Sequence, residues 1–146
     1  MEKNLKIRAI RLEDAEDIER ISIAISKDVA DIDFKKLLDH KIKEGGEETS
    51  LVAEIGGKVA GYMISNTLYA GFGLKKSAWI VTMGVAPQYM GRGIGVKLAE
   101  DIFEVYRKKG IKHIYSSVMW DSIDLLSFFK TLGFERSNFI NLRKEL

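Results

Sequence analysis

Gly91, Gly93 and Gly95 alternate within a short stretch of the chain. An apolar run, residues 79–85, leads into them, and an amphipathic run, residues 97–109, leads out. Three close-set glycines therefore stand where a strand gives way to a helix. Glycine lacks a Cβ, so backbone amides there converge on a ligand without steric cost. The first turn of a helix adds unpaired N–H groups and the positive end of the helix dipole. Together these features build a cradle for a phosphate-bearing ligand.

Spacing excludes two phosphate loops. A P-loop needs GxxxxGK followed by Ser or Thr, and no Lys-Ser or Lys-Thr directly follows these glycines. A dinucleotide fingerprint needs GxGxxG and an acidic residue closing the next strand. Here the spacing is Gly91-x-Gly93-x-Gly95, and the strand predicted over residues 113–118 ends in Met119-Trp120, with Asp121 only beyond its end. Taken alone, the glycines also fit a close-packed turn with no ligand.

Composition bounds the rest. A chain of 146 residues predicts one domain, residues 1–146, with room for a real core. Hydrophobic residues make up 46% and charged residues 30%, an ordinary globular balance. A net charge of +2 is too small to argue for nucleic acid by itself, and only one basic cluster supports such a binder, the least favoured reading. The basic cluster Arg107-Lys108-Lys109 with Lys112 reads as a solvated helix end that suits the dipole. The absence of cysteine excludes disulfides, thiol nucleophiles and cysteine metal sites. His40 and His113 are far apart in sequence, so no metal is expected. Met1-Glu2-Lys3-Asn4 holds no apolar signal core, and no apolar run is long enough to span a membrane. The expectation is a soluble cytoplasmic protein.

Periodicity supplies the elements that must position the glycine turn. Residues 5–11 alternate and predict a first strand. Ile18, Ile21, Ile25 and Val29 form a helical stripe over residues 14–29. Phe34, Leu37, Leu38 and Ile42 form a second, stopped by Gly45-Gly46. Residues 50–55 predict a strand, Gly56-Gly57 a hairpin turn, and residues 58–65 or beyond its partner. Residues 70–73 form a loop before the central strand 79–85. Residues 94–109 predict a helix ended by Gly110, with Ile94, Leu98, Ile102, Val105 and Tyr106 facing inward. A strand follows over residues 111–118. Asp121, with Asp124 as capping-box partner, is the expected N-cap of a helix ending at Leu132. Residues 139–142 predict a last strand. The order is β-α-α-β-β-β-α-β-α-β: a mixed α/β fold with a mostly antiparallel sheet and helices on both faces.

That order, with Gln88-x-x-Gly91-x-Gly93 at its centre, resembles the GNAT superfamily of acyl-CoA-dependent N-acyltransferases, whose signature is Gln/Arg-x-x-Gly-x-Gly/Ala. A second family signature is Asn-x-x-Ala-x-x-Phe/Leu-Tyr-x-x-x-Gly-Phe. Here Ser122, Leu125 and Phe129 stand at its Asn, Ala and Tyr positions, while Phe128 and Gly133-Phe134 match. Residues 79–87 and His113-Ile114-Tyr115 look most like protein N-terminal acetyltransferases. The resemblance implies transfer of an acetyl group from acetyl-CoA, a co-substrate, to a primary amine: a protein N-terminus, a lysine or a small molecule. It also implies a V-shaped cleft, where the strand before the turn splays from the next strand. The pantetheine arm would pair there with the backbone of Met83 and Val85. The pyrophosphate would sit on amides of Gly91, Gly93, Ile94, Gly95 and Val96, with Arg92 alongside. Gln88 belongs to the signature, and Ser122 replaces the Asn that often contacts the coenzyme.

The family's usual acid and base are missing. Phe129 stands in place of the tyrosine acid, and Trp79 and Ser117 stand where a Glu or His base is usual. Tyr62, Tyr69, Tyr89, Tyr115 and Glu54 remain open as substitutes. If the missing acid limits transfer, a tyrosine at 129 would raise turnover. The vacant positions also suit a second reading, a non-catalytic acyl-CoA-binding or regulatory module. Two loops, around Asp31 and Asp33 and over residues 69–76, would frame the acceptor. A homodimer is open to such a domain.

Overall fold

The computed structural model describes residues 4–26, 32–70 and 75–146. In chain order it holds β1 (Leu5–Ala9), α1 (Ala15–Ser26), α2 (Phe34–Lys43), β2 (Leu51–Ile55), β3 (Lys58–Ala70), β4 (Lys75–Val85), α3 (Ile94–Lys108), β5 (Ile114–Tyr115) and α4 (Ile123–Thr131). The five strands form one sheet in the order β1-β2-β3-β4-β5. Neighbours are antiparallel up to β4, whereas β4 and β5 run parallel. The mixed, mostly antiparallel sheet expected from the sequence is thus present.

Strand alternation splits the core in two. Val52, Tyr62 and Ile64 point to one face, where Ile18 and Ile21 of α1 and Phe34 and Leu38 of α2 cover them. Ala53, Ala60, Met63, Ala78 and Ile80 point to the other, under Ile94, Leu98 and Ile102 of α3 and Phe129 of α4. Helices lie on both faces because both faces are apolar.

Three sequence expectations change at element ends. The N-cap of α4 is Ser122, not Asp121, and no side-chain cap bond forms there among the described residues. The Asp121 carbonyl instead accepts from the Ile123 N–H at 3.0 Å, a tight turn that displaces the expected capping box. β5 is only two residues long, because β4 and β5 part after two pairs. Among the described residues, 139–142 form no strand. Ser137 Oγ accepts the Phe139 N–H at 3.1 Å, a local bond that competes with a ladder. The segment still lies along β5: Phe139 stacks edge-on to Tyr115 at 5.7 Å, and Asn141 Nδ2 donates to Ser117 Oγ at 3.1 Å. Val29 and residues 71–73 lie outside the described residues.

A charged side chain of α2 is buried between the layers. Lys41 of α2 donates from Nζ to the Ser65 carbonyl. Ser65 Oγ in turn donates to the Thr49 carbonyl and pairs with Tyr106 Oη at 2.6 Å. Burial pushes the Lys41 ammonium pKa down, against a smaller upward pull from Glu44. The unfolded chain therefore holds this proton to higher pH than the folded one, up to about 10.4. Stability from this group must rise with pH across the window between the lowered folded value and that limit. We expect wild-type unfolding free energy to gain on that of Lys41→Met as pH rises from about 7 to about 10. Paired urea titrations measure the difference; a constant one would refute the buried ammonium.

Candidate functional site

β4 and β5 pair at two positions only, Ala78 with Ile114 and Trp79 with Tyr115. Ser116 Oγ still reaches the Ile80 carbonyl at 3.3 Å, and then the strands part. The parting coincides with a β-bulge: Ser65 pairs with Ile80 and Ile64 with Thr82, so the register skips Val81. A bulge bends its strand and adds twist, which turns the end of β4 away from β5. Beyond it, Thr82, Met83, Gly84 and Val85 pair with β3 alone.

The direction of the free backbone groups follows from one bond. The Ala86 N–H donates to the Ala60 carbonyl of β3 at 2.8 Å. Backbone polarity alternates along a strand, so the N–H and C=O of Met83 and Val85 face the other way, into the opening. These are the two residues the sequence nominates for pairing with a pantetheine arm.

The glycine turn caps that opening. Pro87–Tyr89 make a single 3₁₀ turn, and Gln88 on it is exposed. Gly91 and Gly93 hold φ of 79° and 78°. No described atom lies within 4 Å of a Cβ built on either, so left-handed backbone, not crowding, demands glycine there. Gly93 is the N-cap of α3, and the Lys97 N–H makes the first helical bond, to the Gly93 carbonyl at 3.0 Å. The N–H groups of Ile94, Gly95 and Val96 thus have no acceptor within the helix. Arg92 lies over the Tyr89 ring at 5.4 Å, a cation–π contact that keeps its charge beside the turn.

Gly95 has a different task. A Cβ there would meet the Phe128 ring at 3.1 Å and the Met83 methyl at 3.6 Å. It lets α4 close on α3 at the floor of the opening. Ile94 turns its side chain into the core, leaving only its N–H for a ligand. Val96 is half-buried, and Ser122 starts the helix that carries Phe128. The structure therefore gathers Met83, Val85 and residues 91–96 around one opening.

The candidate acid and base groups separate clearly. Glu54 is on β2, two strands from β4, and is paired with Arg8 at 3.0 Å. Tyr62 is buried; burial pushes its pKa up, against smaller downward pulls from the Thr82 and Ser22 side chains, and keeps its hydroxyl neutral. Tyr69 is exposed opposite Lys76, toward the end of β3 remote from the turn. Tyr115 lies at the root of the parting strands, stacked on Trp79 at 5.1 Å. Tyr89 follows the end of β4. These last two are the tyrosines beside the opening. Pairing of Trp79 with Tyr115 comes from the β4–β5 register, which no local sequence signal reveals. Trp79 Nε1 is buried without a hydrogen-bond partner among the described residues.

The acceptor loops are only partly visible. Asp33 Oδ1 accepts the Lys36 N–H at 3.1 Å and caps α2, so its role is structural. Asp31 and residues 71–74 lie outside the described residues.

Phe129 is buried between Phe128 and Phe134, with ring centroids 5.4 and 4.9 Å away. A hydroxyl added to that ring enters an aromatic cluster. Phe129→Tyr is expected to cost about 1–3 kcal/mol without raising turnover, the reverse of what a missing acid at 129 predicts. Urea midpoints and steady-state rates of the two proteins check it; a faster, equally stable variant would contradict the burial argument.

Among the described residues, no group of three or more His, Cys, Asp or Glu side chains forms a metal site. No described helix is long and apolar enough to cross a membrane. A family model described as the acetyltransferase (GNAT) family matches residues 12–134. The fold recurs in the ribosomal-protein-alanine N-acetyltransferase of Brucella melitensis biovar Abortus, with TM-score 0.76 and 13% identity over 97% of this chain and 99% of that one. It recurs in Arabidopsis thaliana Naa50 bound to the bisubstrate analogue CoA-Ac-MVNAL, with TM-score 0.74 and 20% identity over 96% and 92% of the two chains. An aminoglycoside acetyltransferase from an uncultured soil metagenomic sample, in complex with sisomicin, matches with TM-score 0.75 and 20% identity over 98% and 97%.

Proposed function

The chain belongs to the acetyltransferase (GNAT) family, and on that premise we propose that it carries an acetyl group from acetyl-CoA to a primary amine through the opening between β4 and β5. The observation that carries the reading is the unpaired side of β4 running into free helix amides. Extended, amide-bearing pantetheine matches a strand edge that has Met83 and Val85 groups unsatisfied. The pyrophosphate matches the N–H groups of Gly91, Gly93, Ile94, Gly95 and Val96, with Arg92 adding charge. Each favourable charge at a helix start contributes roughly 0.3–1 kcal/mol, up to about 2 when partly buried. Gln88 and Ser122 flank this site at the turn and at the start of α4.

The chemistry then rests on placement. The amine lone pair attacks the thioester carbonyl carbon, and the carbonyl oxygen becomes an oxyanion. A backbone N–H on the open side of β4 receives that charge. Collapse breaks the C–S bond, and the nitrogen's proton passes through solvent to the departing thiolate, leaving amide and free thiol. Aligned reactants and a fixed oxyanion donor are large terms in such transfers. They need no side-chain acid at Phe129 and no side-chain base at Trp79 or Ser117. No metal enters the scheme, and the cytoplasmic setting expected from the sequence belongs to the same proposal.

Fold likeness does not divide the acceptors, because peptide and aminoglycoside enzymes match this chain almost equally well. The test is a panel of peptide N-termini, lysines and polyamines with acetyl-CoA, followed as free thiol and as acetylated product. Turnover on any member supports the reading. Tight acetyl-CoA binding with no transfer across the panel would favour a binding or regulatory module. No binding at all would overturn the site.

A further inference from the structure

The side of the molecule beyond β5 carries strand-forming sequence without a strand. Asn138-Phe139-Ile140-Asn141-Leu142 is uncharged, follows Arg136-Ser137 and precedes Arg143. Residues 139–142 predict a strand, yet among the described residues they form no ladder. Phe139 and Asn141 face Tyr115 and Ser117 of the β5 segment. Alternation directs Ile140 and Leu142 away from those anchors, and they are 83% and 89% exposed. Met119, Trp120 and Ile123, on the loop leaving β5 and the first turn of α4, are exposed too, Trp120 at 84%. At about 150–250 Å² for a large aromatic side chain, and somewhat less for an aliphatic one, these five present on the order of 700 Å². A typical monomer's largest apolar patch is roughly 300–600 Å², while one side of a standard interface is about 800 Å².

We propose that this edge joins two copies of the chain, residues 139–143 of one pairing antiparallel with the same residues of the other about a two-fold axis. Such an axis, normal to the sheet, must pass through a residue pair, because opposed side chains share a face. Centred on Asn141, it sets Ile140 opposite Leu142 of the second copy and Phe139 beside its Arg143. Centred on Ile140, it would oppose Arg136 to Lys144, two cations. The Asn141 register therefore fits. It gives strand partners to the backbone of Ile140, Asn141 and Leu142, which bond to no backbone group among the described residues.

Two measurements test the proposal. Sedimentation of the full chain is expected to show a dimer, and Ile140→Asp with Leu142→Asp is expected to give a monomer with an unchanged far-ultraviolet spectrum. The chain has no cysteine, so Asn141→Cys introduces a single thiol. In the proposed register it meets its own copy within the roughly 4.4–6.8 Å Cα spacing a disulfide needs, and mild oxidation should link two chains. A Lys58→Cys control should not link. A wild-type monomer at high concentration overturns the proposal. So does a dimer in which Asn141→Cys fails to link, and that arm decides the matter even where the aspartate variant unfolds.

Discussion

Gly95→Val is expected to lower kcat/KM for acetyl transfer about 100-fold, the scale of a 1 Å misplacement at a reacting centre, while the fold survives. The reason lies in what surrounds that Cα. A first added carbon already sits 3.1 Å from the Phe128 ring. Two further methyl groups must push Phe128 outward or tilt the first turn of α3. Overpacking of this kind costs about 1–3 kcal/mol, which a domain of this size withstands. The tilt moves the Ile94, Gly95 and Val96 N–H groups, and the wedge fills the floor between Met83 and Phe128. Both changes strike coenzyme placement and leave the rest of the sheet alone. Gly95→Ala is the graded control. Alanine gains up to about 1 kcal/mol over glycine inside a helix, and a few tenths of an ångström of yield by Phe128 offsets it. Its stability should match wild type, with CoA affinity between the two. Calorimetric CoA titration and steady-state rates on one acceptor read the series. A folded Gly95→Val protein with wild-type affinity and rate would mean that the coenzyme lies elsewhere.

That glycine also shows where sequence reading succeeds and where it stops. Residue types alone placed Gly91, Gly93 and Gly95 between a strand and a helix, because apolar alternation and the helical stripe meet there. They assigned one task to all three. Geometry divides them: left-handed φ at Gly91 and Gly93, and close approach of α4 at Gly95. Close approach depends on Phe128, which is distant in sequence and carries no local mark. The same holds for the opening itself. Its depth is set by the skipped register at Val81, and a bulge in a run of good strand formers leaves no trace in composition. The strand expected over residues 139–142 failed for a related reason. Its residue types suit a strand, but β5 offers only two residues to pair with, and Ser137 Oγ takes the Phe139 N–H instead. Helix caps were the least legible, since Asp121 and Ser122 both suit the position and only the local turn chooses.

Arg8 is the other residue whose weight no sequence pattern announces, and Arg8→Met is expected to cost about 3–5 kcal/mol. Its guanidinium hydrogen-bonds Asp14 through two nitrogens, each at 2.8 Å, and forms an ion pair with Glu54, Nε to Oε1 at 3.0 Å. It also donates to the Ala9 carbonyl at 3.1 Å. Asp14 accepts the Arg11 N–H at 2.7 Å, so the cluster also holds the turn that leads into α1. The three side chains retain 10%, 4% and 17% of their exposure. The Asp14 hydrogen bonds first, then Glu54, outweigh desolvation and hold the Arg8 pKa well above its usual value. Methionine matches the aliphatic stem but leaves two partly buried carboxylates facing one another with no cation. Removing one partner of a buried pair costs far more than the pair contributes, because the remaining charge is stranded. The companion variant decides between that account and simple loss of packing. Adding Asp14→Asn to Arg8→Met takes away one stranded charge, so the double variant should be more stable than the sum of the two single losses predicts. Urea denaturation of wild type, both singles and the double closes the cycle. Additive losses would show that the cluster acts through its carbon atoms and not its charges.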